Sequence, residues 1–268
     1  MRRILVGLAC ATAALTVASA ASAAPPWVER HLTLPGGDFA FDFGLGIAHG
    51  PAPSDTSSVG MNVEAAVGLT SHLELGIRTG LRFGDAFDRG LHPDEYARLF
   101  DRQYVDGADD AFANPEIRLR GALLDGPVVD LGLEGRLFVP VEGDAFPGRP
   151  NQAAAEFGMP LAFHLGDSVR LDTGVYVPLL FGYATPFGLS VPVDVWFQVT
   201  HRLWLGPMTG LQIVRVGDDQ TLTYASMGFG LGYQVARFVD FKTMFLFPEL
   251  NQDSSVFGVG AGVQIRIE

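Results

Sequence analysis

The chain has 268 residues, a formal net charge of -12 and one cysteine. The acidic balance argues against nucleic acid as a partner, because neutralising phosphates takes clustered Lys and Arg. A single cysteine excludes an internal disulfide and any metal site with several cysteine ligands. The length suits one all-β domain, since domains of this class commonly stay undivided at this size.

The first residues predict a secretory signal peptide. Two arginines precede an apolar stretch over 4–17, and a run of small residues over 18–24 follows. Cleavage ahead of Ala24 would remove residues 1–23 and leave a mature chain without a thiol. Cys10 does not make a lipoprotein signal, because the apolar stretch before it is too short. We therefore expect a secreted protein that begins with a periplasmic N-terminal segment over 24–36.

After the signal peptide, apolar residues occupy every second position. Over 38–47 the odd positions hold only Phe, Leu and Ile, whereas the even positions hold only Asp, Ala and Gly. Because a strand places residues i and i+2 on one face, this pattern predicts strands with one apolar face. No apolar run approaches the roughly 18 residues of a membrane helix. The predicted strands are 38–47, 59–69, 73–83, 115–124, 128–140, 153–165, 168–181, 189–200, 203–216, 222–235, 237–248 and 255–267.

The length and spacing of these strands predict an all-β fold: a single closed antiparallel transmembrane β-barrel of about 12 strands over 37–268, with periplasmic termini. Strands of roughly 10–14 residues can cross a tilted membrane, whereas globular strands average about half that length. Short turns alternate with longer links, as in barrels of Gram-negative outer membranes. Odd-numbered residues would face lipid. A soluble β-sandwich or small barrel is the alternative, because alternation alone does not distinguish inside from outside.

Charges of both signs occupy the even positions, which this barrel turns inward. Two interpretations stay open: a salt-bridged interior, or a lining that selects solutes by charge. His164 lies on the same face, and we expect it to be hydrogen-bonded there. The candidate lumen-lining residues are Glu74, Arg78, Arg82, Glu116, Arg118, Arg120, Asp130, Glu134, Arg136, Glu156, Arg170, Asp172 and Asp194.

Glycine dominates the even positions of the first, tenth and twelfth predicted strands, which leaves space on that wall. The long link 84–114 is the candidate to fill this space, because its start resembles a helix opening. A solvated surface loop is the alternative interpretation of this link. Pro160, Pro178 and Pro192 fall within strands, where a missing N–H predicts bulges or local breaks.

No catalytic or metal-binding motif is assembled in the sequence. The apolar face carries no Ser or His within its strands, so we expect that the chain is not an enzyme. Asp106, Asp109 and Asp110 lack the spacing of a calcium loop. We therefore expect no metal and no cofactor.

Two stretches resemble a known family. The run Asn114–Arg120 and the run Leu137–Asp144, which ends in a Pro-x-x-Gly-Asp turn, resemble outer-membrane transporters grouped with the meta-pathway of phenol degradation. This resemblance implies uptake of small solutes, with aromatic ones among the candidates. We expect a narrow channel or transporter for small solutes. The alternative is a non-transporting structural or surface-adhesion barrel with a plugged lumen. The expected partners are outer-membrane lipids, the barrel-insertion machinery and a small solute.

Overall fold

Twelve antiparallel strands close into one barrel, in which each strand pairs with its neighbours in sequence and the last pairs with the first. The computed structural model describes residues 25–49, 57–83, 112–139, 154–180, 188–216, 220–251 and 254–268. The predicted fold class is thereby confirmed. The strands are β1 (Phe39–His49), β2 (Ser57–Thr70), β3 (Leu73–Phe83), β4 (Phe112–Asp125), β5 (Val129–Phe138), β6 (Ala154–His164), β7 (Val169–Leu180), β8 (Gly188–Gln198), β9 (Leu203–Val216), β10 (Gln220–Ala236), β11 (Val239–Phe247) and β12 (Phe257–Ile267).

Side chains alternate between the interior and the outer surface as the sequence predicts. In β1 every even-numbered residue from Ala40 to Ala48 is buried, and the odd-numbered ones are partly or fully exposed. The outward side chains form an apolar band that includes Phe41, Ile47 and Leu133. Such a surface is unfavourable in water and favourable in lipid, and a closed barrel leaves no unpaired strand edge in the bilayer. The chain is therefore a transmembrane barrel of the outer-membrane type.

Three threonines on the outer face have hydroxyls that are satisfied within the barrel. Thr173, Thr209 and Thr243 each donate a hydrogen bond to a backbone carbonyl of the neighbouring strand, at 2.7 to 2.8 Å. An unpaired hydroxyl would be costly in hydrocarbon, because no water is present to accept its proton. These threonines are thus compatible with a lipid-facing surface. No helix in the described ranges has the length and apolar character needed to span a membrane.

The two ends of the barrel differ. One end, which we call the turn end, carries the short links 71–72, 126–128, 165–168, 199–202 and 237–238, together with the start of β1 and the end of β12. The links at the opposite end run largely through residues outside the described ranges. Short turns face the periplasm in outer-membrane barrels. The strand bounds follow the predicted alternation of short turns and longer links except between β9 and β10, which only 217–219 separate. The periplasmic position of the turn end stays a prediction.

Irregularities in strand pairing fall beside the turns and at the prolines. The register shifts at the turn end of β2, β4 and β10, and a further shift between β3 and β4 sets Thr79 against Asn114 and Pro115. The shift in β4 turns the even-numbered Leu124 outward, so the odd and even rule fails there. Pairing is interrupted without a register change beside Pro160 and Pro192, and Pro178 has no partner on β8. The prolines therefore cause local breaks, not bulges.

Candidate functional site

A tight turn directs the chain ahead of β1 into the lumen. The Asp38 N–H donates to the Pro35 carbonyl at 3.1 Å, and Gly37 has a φ of 92°, a conformation that favours glycine. Gly37 and Asp38 each form a backbone hydrogen bond with Gly68 of β2, at 2.8 and 2.9 Å. A Cβ atom on Gly68 would lie 1.9 Å from the Pro35 carbonyl oxygen, so only glycine allows this approach. The reversal places residues 25–38, here called the N-terminal segment, in the turn end of the barrel.

This placement refines the sequence-based view of residues 24–36, which the sequence assigned only to the periplasmic side. Residues 25–36 contact the inner wall of the barrel, and Val28 is fully buried. The link 84–111, which the sequence proposed to fill the lumen, lies outside the described residues. Only residues 112–114 of that predicted link are described, and they belong to β4.

Tryptophans of the wall anchor the N-terminal segment. Trp27, in a short 3₁₀ helix over Trp27–Glu29, stacks on Trp204 with ring centroids 5.2 Å apart and meets Trp196 edge-on at 6.3 Å. The glycines of β10 make room for these rings: a Cβ atom on Gly232 would lie 2.1 Å from Trp204. Part of the space predicted from the glycines is therefore occupied by aromatic side chains of β8 and β9, because glycine accommodates a ring from a neighbouring strand.

Polar contacts with the strands of the wall complete this anchorage. The Arg30 guanidinium pairs with the buried Asp240 at 2.6 Å. Backbone groups of the segment are also satisfied, as buried backbone groups must be: the Leu34 N–H donates to Glu74 at 2.9 Å, and the Leu32 carbonyl accepts from Arg120 at 3.0 Å. Further contacts join Val28 to Gln198 and His164, the Arg30 carbonyl to Arg170, and His31 to Asp130.

Above the segment, the wall formed by β2 to β6 carries a connected set of ion pairs. Arg118 lies between Glu64 and Glu74, at 2.6 and 2.9 Å. The side chain of Arg136 is fully buried and contacts three carboxylates: Glu134 at 2.7 Å, Glu116 at 3.4 Å and Glu156 at 3.6 Å. Buried charges need such partners to offset the loss of hydration. On this wall the structure favours the salt-bridged interior over a hydrated lining.

The opposite wall also carries charge, which the sequence analysis missed by treating that wall as glycine-rich. Asp240 accepts from Arg30 and lies 3.3 Å from Arg266, while Asp42 lies 3.3 Å from Lys242. All of the wall residues stand at even positions, so the rule that identified the first wall could have found them.

The predicted lumen-lining residues with described side chains all face the interior. All are buried except Arg120 and Asp172, which are partly exposed. Asp194 is 1% exposed and stands opposite Asp172 in the pairing of β7 with β8. Arg82 lies in β3, and its side chain is outside the described part of the chain. The residues brought together by ion pairs are Glu74, Arg78, Glu116, Arg118, Arg120, Asp130, Glu134, Arg136, Glu156, Arg170 and Asp172. Their role in lining a passage stays a prediction.

A cavity of about 700 Å³ lies against the N-terminal segment inside the barrel. Its wall includes charged groups of both signs, among them Glu64, Arg118, Asp172 and Lys242. A space of this size fits a small molecule, since ligand pockets commonly span about 300–1,000 Å³.

The fold of this chain is that of an outer-membrane β-barrel. It is similar to the NanC porin (TM-score 0.61, 7% identity, 85% of this chain and 100% of that one). It is also similar to an outer-membrane channel from Pseudomonas putida F1 (TM-score 0.59, 12% identity, 92% and 100%) and to the KdgM porin (TM-score 0.54, 8% identity, 85% and 99%). The chain matches no protein-family model and no curated protein in sequence.

These likenesses confirm the coarser resemblance, to outer-membrane barrels, and agree with the predicted outer-membrane location. The narrower resemblance, to transporters grouped with the meta-pathway of phenol degradation, stays a prediction. The expectation that the chain is not an enzyme also stays a prediction, because likeness at such low identity shows the fold alone.

Proposed function

We propose that this protein is a narrow outer-membrane channel for small polar solutes, closed at its turn end by the N-terminal segment. The observation that carries the proposal is the cavity of about 700 Å³, which lies inside a closed barrel and is lined by charges of both signs. A barrel of eight strands is filled by its own side chains, and one of sixteen or more encloses a water channel, so twelve strands suit a narrow passage. Mixed charge favours polar solutes over apolar ones.

The way the N-terminal segment is attached supports a role as a movable closure. It contributes no strand to the barrel, and it is held by individual hydrogen bonds, stacked rings and contacts of Arg30 and His31 with carboxylates. These contacts can break without disturbing the pairing of the twelve strands, because local opening needs only the contacts of the moving element. The turn at Gly37 joins the segment to β1 and supplies a hinge.

Conductance in planar bilayers tests this function. The mature chain is compared with a variant that lacks residues 25–35, and unfolding in detergent verifies that both barrels are intact. We expect the deletion to raise ionic conductance and to allow small sugars to enter liposomes. If neither form passes ions or sugars, the channel function is wrong.

One observation favours the second candidate, a structural barrel with a permanently closed lumen. Arg136 is fully buried among three carboxylates, which is the environment of a dry, rigid interior and not of a hydrated pore. Under this alternative, removal of residues 25–35 leaves conductance at the level of a protein-free bilayer.

A further inference from the structure

Two histidines and a carboxylate converge where the N-terminal segment meets the barrel wall. His31 of the segment, Asp130 of β5 and His164 of β6 each offer one ligand atom, and these atoms lie within 4.8 Å of one another. The Asp130 carboxylate is 3.2 Å from His31 Nδ1 and 3.1 Å from His164 Nε2. A fourth group, the carboxylate of Asp125 at the end of β4, contacts the same nitrogen of His31.

The hydrogen bonds of His164 show that this cluster needs a positive charge. Its Nδ1 lies 2.6 Å from the Val28 carbonyl oxygen, and because a carbonyl only accepts, Nδ1 must carry a proton. In the neutral ring the lone pair of Nε2 then points at the Asp130 carboxylate. Two electron-rich groups at this distance repel each other unless a second proton or a metal ion lies between them. The second oxygen of Asp130, Oδ1, accepts a hydrogen bond from the Gly126 N–H, and this bond fixes the orientation of the carboxylate.

Two of the separations in this cluster fit a tetrahedral zinc site. With metal-to-ligand distances of about 2.0–2.2 Å, neighbouring ligand atoms around zinc are about 3.3 Å apart. The separations of 3.1 and 3.2 Å are close to this value. Histidines that bind metal usually donate their other N–H to a carbonyl or a carboxylate, as His164 does to Val28. Half of the His31 side chain is exposed, which gives the ion a path from solution.

We propose that His31, Asp130 and His164 bind one zinc-like divalent ion, and that this ion fastens the N-terminal segment to the barrel wall. Two imidazoles favour zinc or a similar transition metal over calcium and magnesium, which prefer oxygen ligands. The carboxylate of Asp130 and that of the neighbouring Asp125 balance the double charge of the ion. The site goes beyond the proposed channel function, because zinc can bind whether or not the barrel conducts.

Zinc titration of the metal-stripped, folded chain in detergent tests the site. We expect one Zn²⁺ per chain, and Co²⁺ in its place should give the visible absorption of tetrahedral coordination. Loss of a residue that only hydrogen-bonds to a metal ligand typically weakens metal binding by roughly 10- to 100-fold. His31→Ala removes a ligand itself, so it should weaken zinc binding by more than this. The exposure of His31 makes this variant safe for folding, and unfolding in detergent verifies it. The matched control is His72→Ala, which removes an exposed histidine of the turn end outside the cluster.

Two results would overturn the site. The first is a wild-type chain that binds no zinc, which is expected if a proton and not a metal ion joins Asp130 to His164. The second is equal zinc affinity in His31→Ala and the wild type.

A separate measurement tests whether the ion fastens the segment. Trypsin can cut after Arg30 only when the segment leaves the lumen, so zinc should slow this cleavage in the wild type and in His72→Ala, but not in His31→Ala. Unchanged cleavage on addition of zinc would refute the fastening role.

Discussion

Replacement of Gly68 by alanine should release the N-terminal segment while leaving the barrel closed. The added Cβ would lie 1.9 Å from the Pro35 carbonyl oxygen, and ordinary contact starts at about 3.4 Å, so the turn must shift by about 1.5 Å. Such a shift breaks the two backbone hydrogen bonds that join Gly37 and Asp38 to Gly68. At about 0.5–1.5 kcal/mol each, their loss favours the released state by about 1–3 kcal/mol, or roughly 5- to 150-fold.

Trypsin cleavage after Arg30, followed by mass spectrometry of the folded protein in detergent, measures this release. Cleavage should accelerate by the same roughly 5- to 150-fold. If the barrel conducts, single-channel recordings should also show longer open times. Gly121→Ala is the matched control, since it adds the same atom to β4 at the same end of the barrel, where the nearest atoms lie 3.8 Å away. Equal cleavage in Gly68→Ala and the wild type would show that the segment does not pack against β2 as described.

Three further predictions concern the barrel itself. Arg136→Ala should lower the free energy of unfolding by about 3–5 kcal/mol, because it leaves buried carboxylates without their partner. Arg237→Ala, in an exposed pair, should lower the same free energy by less than about 1 kcal/mol, and urea unfolding in detergent compares the two variants. Gly232→Ala should lower the free energy of unfolding by about 1–3 kcal/mol, because the added Cβ displaces the Trp204 ring. Tryptophan fluorescence should change as well, and an unchanged spectrum would contradict this packing. Spin labels on the protein in lipid bilayers report whether a residue faces lipid or the barrel interior. Lipid accessibility at positions assigned to the interior would refute the assignment of the two faces. Lipid-accessible labels are expected at Leu75, Leu133 and Phe245, and inaccessible ones at Gly76, Glu134 and Lys242.

The barrel could be predicted from the sequence because its signal is local and repeated. Each strand reports its own two faces through the period of two, and strand length separates a membrane barrel from a soluble sheet. The rule holds from Ala40 in β1 to Gly262 in β12. It fails at Leu124, where a register shift adds one residue to β4. A single extra residue moves the following side chains to the other face, and no local pattern marks where this occurs.

The closure of the turn end could not be predicted, because it depends on contacts between residues far apart in sequence. Arg30 meets Asp240 across 210 positions, and Trp27 meets a ring of β9. The segment has no periodicity of its own that would indicate which wall it touches. Its turn was nevertheless visible in the run Pro35-Gly36-Gly37, and the glycines of β10 indicated that something bulky lies beside them. The pairing of His31 with His164 was hidden for the same reason.

The two kinds of contact in the lumen separate the opening of the turn end from the stability of the barrel. The ion pairs of Arg118 and Arg136 join residues of the barrel wall to one another, so they stabilise the closed cylinder whether or not the segment is docked. The contacts of Trp27 and Arg30 exist only in the docked state. Changes to Trp27 or Arg30 should therefore shift the docking equilibrium with little effect on barrel unfolding, while Arg136→Ala should do the reverse, since sites that share no partner act additively. Glu74 is an exception, because it pairs with Arg118 and also accepts from the Leu34 N–H.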